Sequence, residues 1–202
     1  MAAHGGAGDE GITVIDALRA RYASAELIHR LDRATSGVML VAKSKAAARS
    51  VGEHWADVTK QYLAVALGDD VPGRLDAKLD QDGRHVDALT ECQRIATLDA
   101  IEPHSSLLRI KLVTGRKHQI RRHLAQARHP VLLDDKYGDF SANKSWKRAV
   151  KAAGGRVPRK GLMLHAWRLK LARAEIVAPP PQRWREAIEA AGGALPLAKA
   201  LG

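Results

Sequence analysis

Three strand-like stretches follow one another in the middle of the chain, with turn residues between them. They are QYLAVAL (61–67), TECQRIATL (90–98) and SSLLRIKLV (105–113). The pair Asp82-Gly83 marks a turn between the first two, and Pro103-His104 connects the last two. Strands and helices do not alternate regularly along the chain, which argues against a parallel sheet built from strand–helix–strand units. The sequence therefore predicts a mixed α+β fold around a largely antiparallel sheet.

Helical patterns flank these strands. Thr13 with Asp16 three residues later resembles a capping box that opens a short helix, and Ser44 caps a helix running to about Trp55. Two more helices and two more strands are predicted at TGRKHQIRRHLAQARH (114–129), QRWREAIEAAGG (182–193), VMLVA (38–42) and LMLHAWRLKL (162–171). With 202 residues and no internal repeat, the chain is expected to form one domain over residues 1–202.

Several classes of function lack their sequence signatures here. Cys92 is the only cysteine, so neither a disulfide framework nor a thiolate zinc cluster is expected. There is no P-loop, GxGxxG, GxSxG or HExxH pattern. No apolar run has the length of a membrane span, and no signal-peptide core is recognisable. We therefore expect a cytoplasmic protein whose chemistry, if it has any, uses side chains alone, without metal or cofactor.

The charge of the chain favours a polyanionic partner. The formal net charge is +11, and the segment 141–160 carries seven Lys or Arg residues and no acid. A charge that served only solubility would be scattered rather than clustered. The segment has two interpretations, a disordered surface loop or a grip on RNA phosphates, and a basic loop that orders on binding would satisfy both.

The stretch HRLDRATSG (29–37) places one carboxylate, Asp32, among His29, Arg30 and Arg33. A buried acid beside arginines is most often a structural ion pair. Asp32, however, precedes a Thr-Ser-Gly turn that leads into an apolar stretch, and loops held on rigid strands are where catalytic groups tend to lie. An arginine close to this carboxylate would keep it ionised, and an ionised carboxylate can act as nucleophile or base.

A second candidate is TGRKHQIRRHL (114–124), in which a glycine turn leads into a helix. Arg116 in the first turn of that helix would favour anion binding, although a solvated basic helix face is a common alternative. His118 and His123 are five residues apart, which does not make a convincing metal site.

These motifs resemble those of the RluA-type pseudouridine synthases. HRLDRATSG, KQY (60–62), TGRKHQIRRHL, HPVLLDDKYGD (129–139) and LMLHA (162–166) stand in the order and spacing of that family, over roughly residues 3 to 190. Five motifs in register are much more specific than one. The resemblance implies the pseudouridine synthase fold, with helices around a mostly antiparallel sheet and a central active-site cleft.

The resemblance also implies roles for single residues. Asp32 would be the essential catalytic residue, either attacking C1′ of a uridine or removing its 2′ proton. Tyr62 would stack on the target base and help remove the proton from C5, and Arg116 would pair with the aspartate. Leu164 would line the uracil pocket. The reaction implied is isomerisation of uridine to pseudouridine in RNA, most naturally large-subunit ribosomal RNA, by a monomer without cofactor.

The RNA must be held while the uridine leaves its helix, because flipping costs a few kcal/mol. Candidates for substrate binding are Arg30, His118, Arg121, Arg122, Lys144, Lys147 and Arg148. Relatives of this type usually carry a strand before the AHGG-like loop and often an S4-type RNA-binding domain before that. Both are expected to be absent from this chain.

Two other functions fit some of these features. A catalytically idle RNA-binding protein would keep the basic surface, but it would not need Asp32, Tyr62 and Arg116 together. A carboxylate glycosidase would need a second acid opposite the first. Glu53, Asp57 and Glu91 lie in no motif that would supply one.

Overall fold

The computed structural model describes residues 13–159 and 161–201. A seven-stranded sheet forms its centre. Its strands are β2 (Ser36–Gly37), β4 (Thr59–Leu67), β5 (Arg74–Leu75), β8 (Thr90–Leu98), β9 (Ser105–Leu112), β10 (Leu164–Leu171) and β11 (Ala174–Val177). They lie in the order β11-β10-β4-β9-β8-β5, and β2 pairs with β10 beside β11. Among the strand pairings of the described residues in this sheet, only β2–β10 is parallel, so the prediction of a largely antiparallel sheet is confirmed.

Two small pairs of strands accompany this sheet. β1 (Glu26–Leu27) pairs with β3 (Val41–Ala42), and β6 (Leu79–Gln81) pairs with β7 (Arg84–Val86). Asp82 and Gly83 join the second pair, and both have positive φ, at 54° and 79°. Two positive φ angles in a two-residue connection suit the right-handed twist of a hairpin, so the turn predicted at Asp82-Gly83 is confirmed.

Six α-helices surround the sheets in the described residues. They are α1 (Val14–Arg19), α2 (Lys45–Glu53), α3 (Gln119–Gln126), α4 (Phe140–Ala152), α5 (Gln182–Ala190) and α6 (Ala194–Leu201). Thr13 and Asp16 form the predicted capping box of α1, and the side chain of Ser44 caps α2. None of these helices is long and apolar enough to cross a membrane.

The core lies on both faces of β4. Residues 62–66 of this strand are all buried, because β9 and β10 flank it and side chains cover both of its faces. Trp146 of α4 and Trp184 of α5 are the largest helical side chains in the same cluster. The central strands are therefore packed on both faces, and this packing fixes the positions of the side chains that they carry.

Three segments differ from the sequence prediction. Of the strand predicted at 38–42, only Val41 and Ala42 are in a strand, β3, because the backbone N–H of Val38 bonds to Ala166 of β10 and that of Leu40 bonds to the His29 ring. The helix predicted over 114–129 begins only at Gln119, since His118 has a left-handed backbone with φ of 54°. The basic segment starts as helix α4, capped by Asp139, rather than as a loop. The strand at 162–171 and the helix at 182–193 are each shorter by two or three residues at one end.

Candidate active site

A cleft of about 720 Å³ opens where the Asp32 loop meets the turn before α3. Two groups of residues line it, 27–33 from the loop and 115–121 from the turn and helix, and β4 and β10 contribute Tyr62 and Leu164. Seven of the predicted site residues share this cleft: Arg30, Asp32, Tyr62, Arg116, His118, Arg121 and Leu164. The motifs that are far apart in sequence therefore converge at one place.

The loop that carries Asp32 is fastened to β10. The Ser36 hydroxyl bonds to Nδ1 of His165 at 2.8 Å, and the backbone N–H of Thr35 donates to the carbonyl of Asp32 at 2.8 Å. Gly37 has φ of 119°, and a Cβ at this position would lie 2.1 Å from the carbonyl oxygen of Ala166. Only glycine fits so close an approach with this backbone. The Thr-Ser-Gly turn thus fixes where Asp32 stands.

His29 anchors the start of the same loop. Its Nε2 accepts the backbone N–H of Leu40 at 2.9 Å, and its ring stacks on Trp55 with the centroids 4.9 Å apart. Burial, aided by the charge of Lys60, lowers the pKa of His29 to about 4. The ring is therefore neutral and available as an acceptor at physiological pH, and it acts as a structural anchor rather than a charged ligand.

Arg121 is the arginine beside Asp32. Its Nη1 lies 3.3 Å from Oδ2 of Asp32, while its Nε and Nη2 each bond to Asp134 at 2.7 Å. Asp134 is fully buried and Arg121 nearly so, whereas about a quarter of the Asp32 side chain is exposed. Asp134 thus fixes the guanidinium, and the guanidinium in turn presents one free edge to the more accessible carboxylate.

Arg121 and Asp134 each stabilise the charged form of the other. Burial by itself would lower the pKa of Arg121, but the hydrogen bonds and charge of Asp134 outweigh it and raise that pKa. Burial would raise the pKa of Asp134, yet the bond from Arg121 and the backbone N–H groups of Tyr137 and Lys136 bring it below its usual range. Both partners therefore stay charged at neutral pH, and Arg121 places a permanent positive charge next to Asp32.

The prediction that Arg116 pairs with Asp32 is wrong. Arg116 is exposed at the cleft, and its Nε donates to the backbone carbonyl of Asp87 at 3.1 Å. The side-chain oxygen of Gln119 accepts the hydroxyl of Thr114 and the backbone N–H of Arg116, which closes a tight turn before the helix. This turn directs Arg116 away from the acid. Arg121 is the arginine that pairs with Asp32 instead. It lies on the buried face of α3, three residues before buried Leu124.

Tyr62 is buried in the cleft wall. Burial, with a smaller contribution from the negative charge of Asp32, raises the pKa of Tyr62 to about 12. The phenol is consequently neutral at physiological pH, which suits stacking or hydrogen-bond donation and makes it a poor base at rest. Leu164, also buried, is two residues from Ala166, which pairs with Tyr62 across β4 and β10. The two side chains line the same cleft, as the sequence predicted.

His118 lies between Asp32 and Tyr137. Its Nε2 is 3.7 Å from Oδ1 of Asp32, and its Nδ1 is 3.1 Å from the Tyr137 hydroxyl. Burial lowers the pKa of His118, while the charge of Asp32 opposes that effect. Arg30 is exposed at the mouth of the cleft, where its side chain can reach a bound molecule.

The other basic residues lie outside this cleft. Lys144, Lys147 and Arg148 are exposed on α4 and line a second depression of about 570 Å³. Arg122 turns the other way, and its Nη1 donates to the carbonyl of Asp80 at 2.7 Å. Among the described residues, no group of three or more His, Cys, Asp or Glu side chains could hold a metal ion.

Sequence reasoning missed Asp134 and Tyr137, although both belong to the quoted HPVLLDDKYGD motif. An acid in an apolar run carries a signal, since a buried carboxylate requires a charged partner. The position of Arg121 between inward-facing Ile120 and Leu124 was the corresponding signal for that partner. A pairing of the two across 13 residues could not be read from either motif alone.

The chain is similar to known proteins in sequence and in fold. The family model for RNA pseudouridylate synthase matches residues 16–126. Ribosomal large subunit pseudouridine synthase C of Escherichia coli (strain K12) is 39% identical over 184 residues, which are 84% of this chain and 56% of that protein. The protein of the same name from Pasteurella multocida (strain Pm70) is 41% identical over 155 residues, 69% of this chain and 47% of that protein. The chain spans about half the length of these curated relatives.

Two solved human structures share the fold. Human RNA Pseudouridylate Synthase Domain Containing 1 superposes with a TM-score of 0.66 and 29% identity, covering 84% of this chain and 74% of that chain. Human RNA Pseudouridylate Synthase Domain Containing 4 gives a TM-score of 0.72 at 23% identity, covering 95% of this chain and 86% of that chain. The fold predicted from the sequence is confirmed.

Proposed function

Because the chain belongs to the RNA pseudouridylate synthase family, we propose that it isomerises uridine to pseudouridine in RNA, with Asp32 as the catalytic residue. One observation carries the proposal: the carboxylate of Asp32, about a quarter exposed, lies in an open cleft 3.3 Å from an arginine that a buried acid holds in place. A carboxylate so placed faces a fixed positive charge and can still reach a substrate.

The reaction requires no external reagent. The bond between C1′ and N1 of uridine breaks, the uracil turns, and a bond forms between C1′ and C5. The proton leaves C5, and N1 gains one, so the product is an isomer of the substrate. Asp32 would begin the reaction either by attacking C1′ or by removing the 2′ proton, and both routes use the same ionised carboxylate.

Tyr62 and Leu164 are suited to hold the uracil. An aromatic face stacks on a base, and an aliphatic side chain packs against it without competing for its hydrogen-bonding edge. The raised pKa of Tyr62 favours stacking and hydrogen-bond donation over service as a resting base. His118 and Arg30 also line the cleft, and in this proposal they contact the sugar and phosphate of the same nucleotide. Arg116, exposed at the turn, would contact phosphate rather than Asp32.

The RNA would be gripped by the positive surface beyond the cleft. The formal net charge of +11 favours a polyanion, and Lys144, Lys147 and Arg148 offer exposed cations on one helix. The names of the relatives indicate large-subunit ribosomal RNA, and we propose the same substrate here. We also propose that the protein acts as a monomer in the cytoplasm.

The test is release of tritium from RNA labelled at C5 of uridine, with transcribed large-subunit ribosomal RNA as substrate. Only a reaction that breaks and remakes the base attachment through C5 frees this hydrogen. Wild-type protein should release tritium in proportion to the pseudouridine found by nucleoside analysis. RNA binding without any release, across total ribosomal RNA of the source cell, would instead favour the idle RNA-binding protein.

A further inference from the structure

A second depression, here called the basic groove, lies along α4. Leu133, Asp134, Asp135, Phe140, Asn143, Lys144, Lys147, Arg148 and Lys151 line it, and its volume is about 570 Å³. Lys144, Lys147, Arg148 and Lys151, here called the groove cations, are all exposed. The groove is separate from the cleft in its lining residues, and the proposed reaction requires nothing of it.

Phe140 is the unusual member of this groove. Its side chain is 69% exposed, more than any other large hydrophobic residue among those the structure describes. One turn later the same helix buries Asn143, and further along it buries Trp146 and Val150. The helix thus has a well-packed inner face, and Phe140 at its start has an open aromatic ring in the groove that the four cations also line.

The acids in the groove do not cancel its charge. Asp134 is fully buried and already holds Arg121 through two hydrogen bonds. Asp135 is 88% exposed, and its nearest cation is Nη2 of Arg121 at 3.6 Å. Both carboxylates of the groove thus contact Arg121, while four groove cations remain along α4, and the groove as a whole is positive. An exposed aromatic ring among cations is the combination that binds single-stranded nucleic acid.

The groove adjoins the cleft through one ion pair. Asp134 lines the groove and bonds to Arg121, and Arg121 lines the cleft and contacts Asp32. A strand of RNA whose uridine occupies the cleft can continue past this ion pair along α4. Where the target uridine lies in a loop or bulge, its neighbouring bases are unpaired and can stack on a protein side chain.

We propose that the basic groove binds an unpaired nucleotide next to the target uridine, with its base stacked on Phe140 and its phosphates on the groove cations. This inference rests on the proposed function, because it takes RNA as the ligand. The basic groove would be a second RNA contact outside the cleft. It would affect the affinity for RNA and the choice of RNA without changing the reaction at Asp32.

Binding of a fluorescein-labelled single-stranded RNA, a uridine dodecamer, tests this proposal by anisotropy at low salt. Loss of a stacked base should weaken binding by roughly 5- to 150-fold in Phe140→Leu, which keeps an apolar side chain but removes the aromatic face. Phe140→Trp should bind like wild type. Val177→Ala, at an exposed apolar residue outside the groove, should also leave the affinity unchanged.

A dodecamer with abasic sugars throughout separates stacking from charge. Wild type and Phe140→Leu should bind this RNA equally, because it offers phosphates but no bases. The proposal is overturned if Phe140→Leu binds the uridine dodecamer like wild type, or if wild type does not bind that dodecamer. It is overturned as well if the Phe140→Leu substitution weakens binding of the uridine dodecamer and of the abasic dodecamer equally. It is also overturned if a labelled decaglutamate peptide binds more tightly than the RNA and depends on Phe140, since the occupant would then be an acidic protein segment.

The tritium assay keeps the two proposals apart. If wild type releases tritium while Phe140→Leu binds both RNAs normally, the groove inference fails and the proposed function stands. If Phe140→Leu loses affinity for the uridine dodecamer while wild type releases no tritium from any ribosomal RNA, the groove inference stands and the proposed function fails.

Discussion

Arg121 and Asp134 form a two-bond ion pair, with both contacts at 2.7 Å, directly behind the carboxylate of Asp32. The pair is buried, so its geometry is fixed by packing as well as by charge. Its third guanidinium nitrogen reaches Asp32 at 3.3 Å. The buried acid Asp134 therefore orients Arg121, and Arg121 in turn contacts the more accessible carboxylate of Asp32.

Asp32→Asn should abolish tritium release and leave RNA affinity nearly unchanged. The amide keeps the shape of the side chain, but it can neither attack C1′ nor remove a proton. Single-turnover kinetics on labelled ribosomal RNA, paired with a filter-binding measurement, give both quantities. Turnover within tenfold of wild type would end the assignment of Asp32 as the essential residue.

Arg121→Ala should destabilise the protein by about 3–5 kcal/mol, because it leaves the carboxylate of Asp134 buried without a partner. Arg116→Ala is the matched control, since this arginine is exposed and its contact is to a backbone carbonyl. Its unfolding free energy should change by less than about 1 kcal/mol. Urea denaturation measures both. A larger loss in Arg116→Ala than in Arg121→Ala would contradict the observed ion pairing.

The strands at the centre of this fold and the residues around Asp32 could be predicted, whereas the partner of Asp32 could not. Strands β4, β8 and β9 carry their own apolar patterns and turn signals, which act over a few residues. Which arginine contacts Asp32, 89 residues away in the sequence, depends on where α3 begins. Here Gln119 closes a turn and His118 takes a left-handed backbone, and together they delay the start of α3. Such a local exception to helix geometry leaves no periodic signal.

The raised pKa of Tyr62 makes a prediction about pH. The phenol loses its proton only near pH 12 in the folded protein. A phenolate base with this pKa would make the single-turnover rate rise tenfold per pH unit between pH 7 and 9, and we expect a much smaller rise because a neutral Tyr62 stacks and donates instead. Tyr62→Phe should retain binding of the base but turn over more slowly. A steep rise with pH in wild type that disappears in Tyr62→Phe would mean that the phenolate is the working base.

The same shift affects stability in alkali. A group whose folded pKa lies above its unfolded value, about 10 for tyrosine, stabilises the protein fully below pH 10 and loses this effect as pH rises toward 12. The unfolding free energy of wild type should therefore fall more steeply than that of Tyr62→Phe between pH 10 and 12, by roughly 2–3 kcal/mol in total. Parallel curves for the two proteins would show that Tyr62 is solvated.

Gly37→Ala should lower activity by displacing the Asp32 loop from β10. The new Cβ would collide with the carbonyl oxygen of Ala166, and φ of 119° is strained for alanine. Gly83→Ala is the control, because Gly83 also has positive φ but has open space around its Cα. Both variants bear backbone strain, and only the first also bears the collision. Equal thermal stability and equal tritium release in the two would show that the close approach to β10 does not position Asp32.

Replacing all four groove cations by glutamine should weaken RNA binding and flatten its dependence on salt. Contacts to phosphate carry little sequence information, so the loss should be similar for different RNAs. Each contact removed should lower the slope of log affinity against log salt by up to about 0.7–0.9. The double variant Arg185→Gln and Lys199→Gln is the control, since neither residue lines the cleft or the groove. A slope that changes no more in the fourfold variant than in this control would mean that α4 faces solvent in the complex, and the grip on RNA would then fall to the cations at the mouth of the cleft.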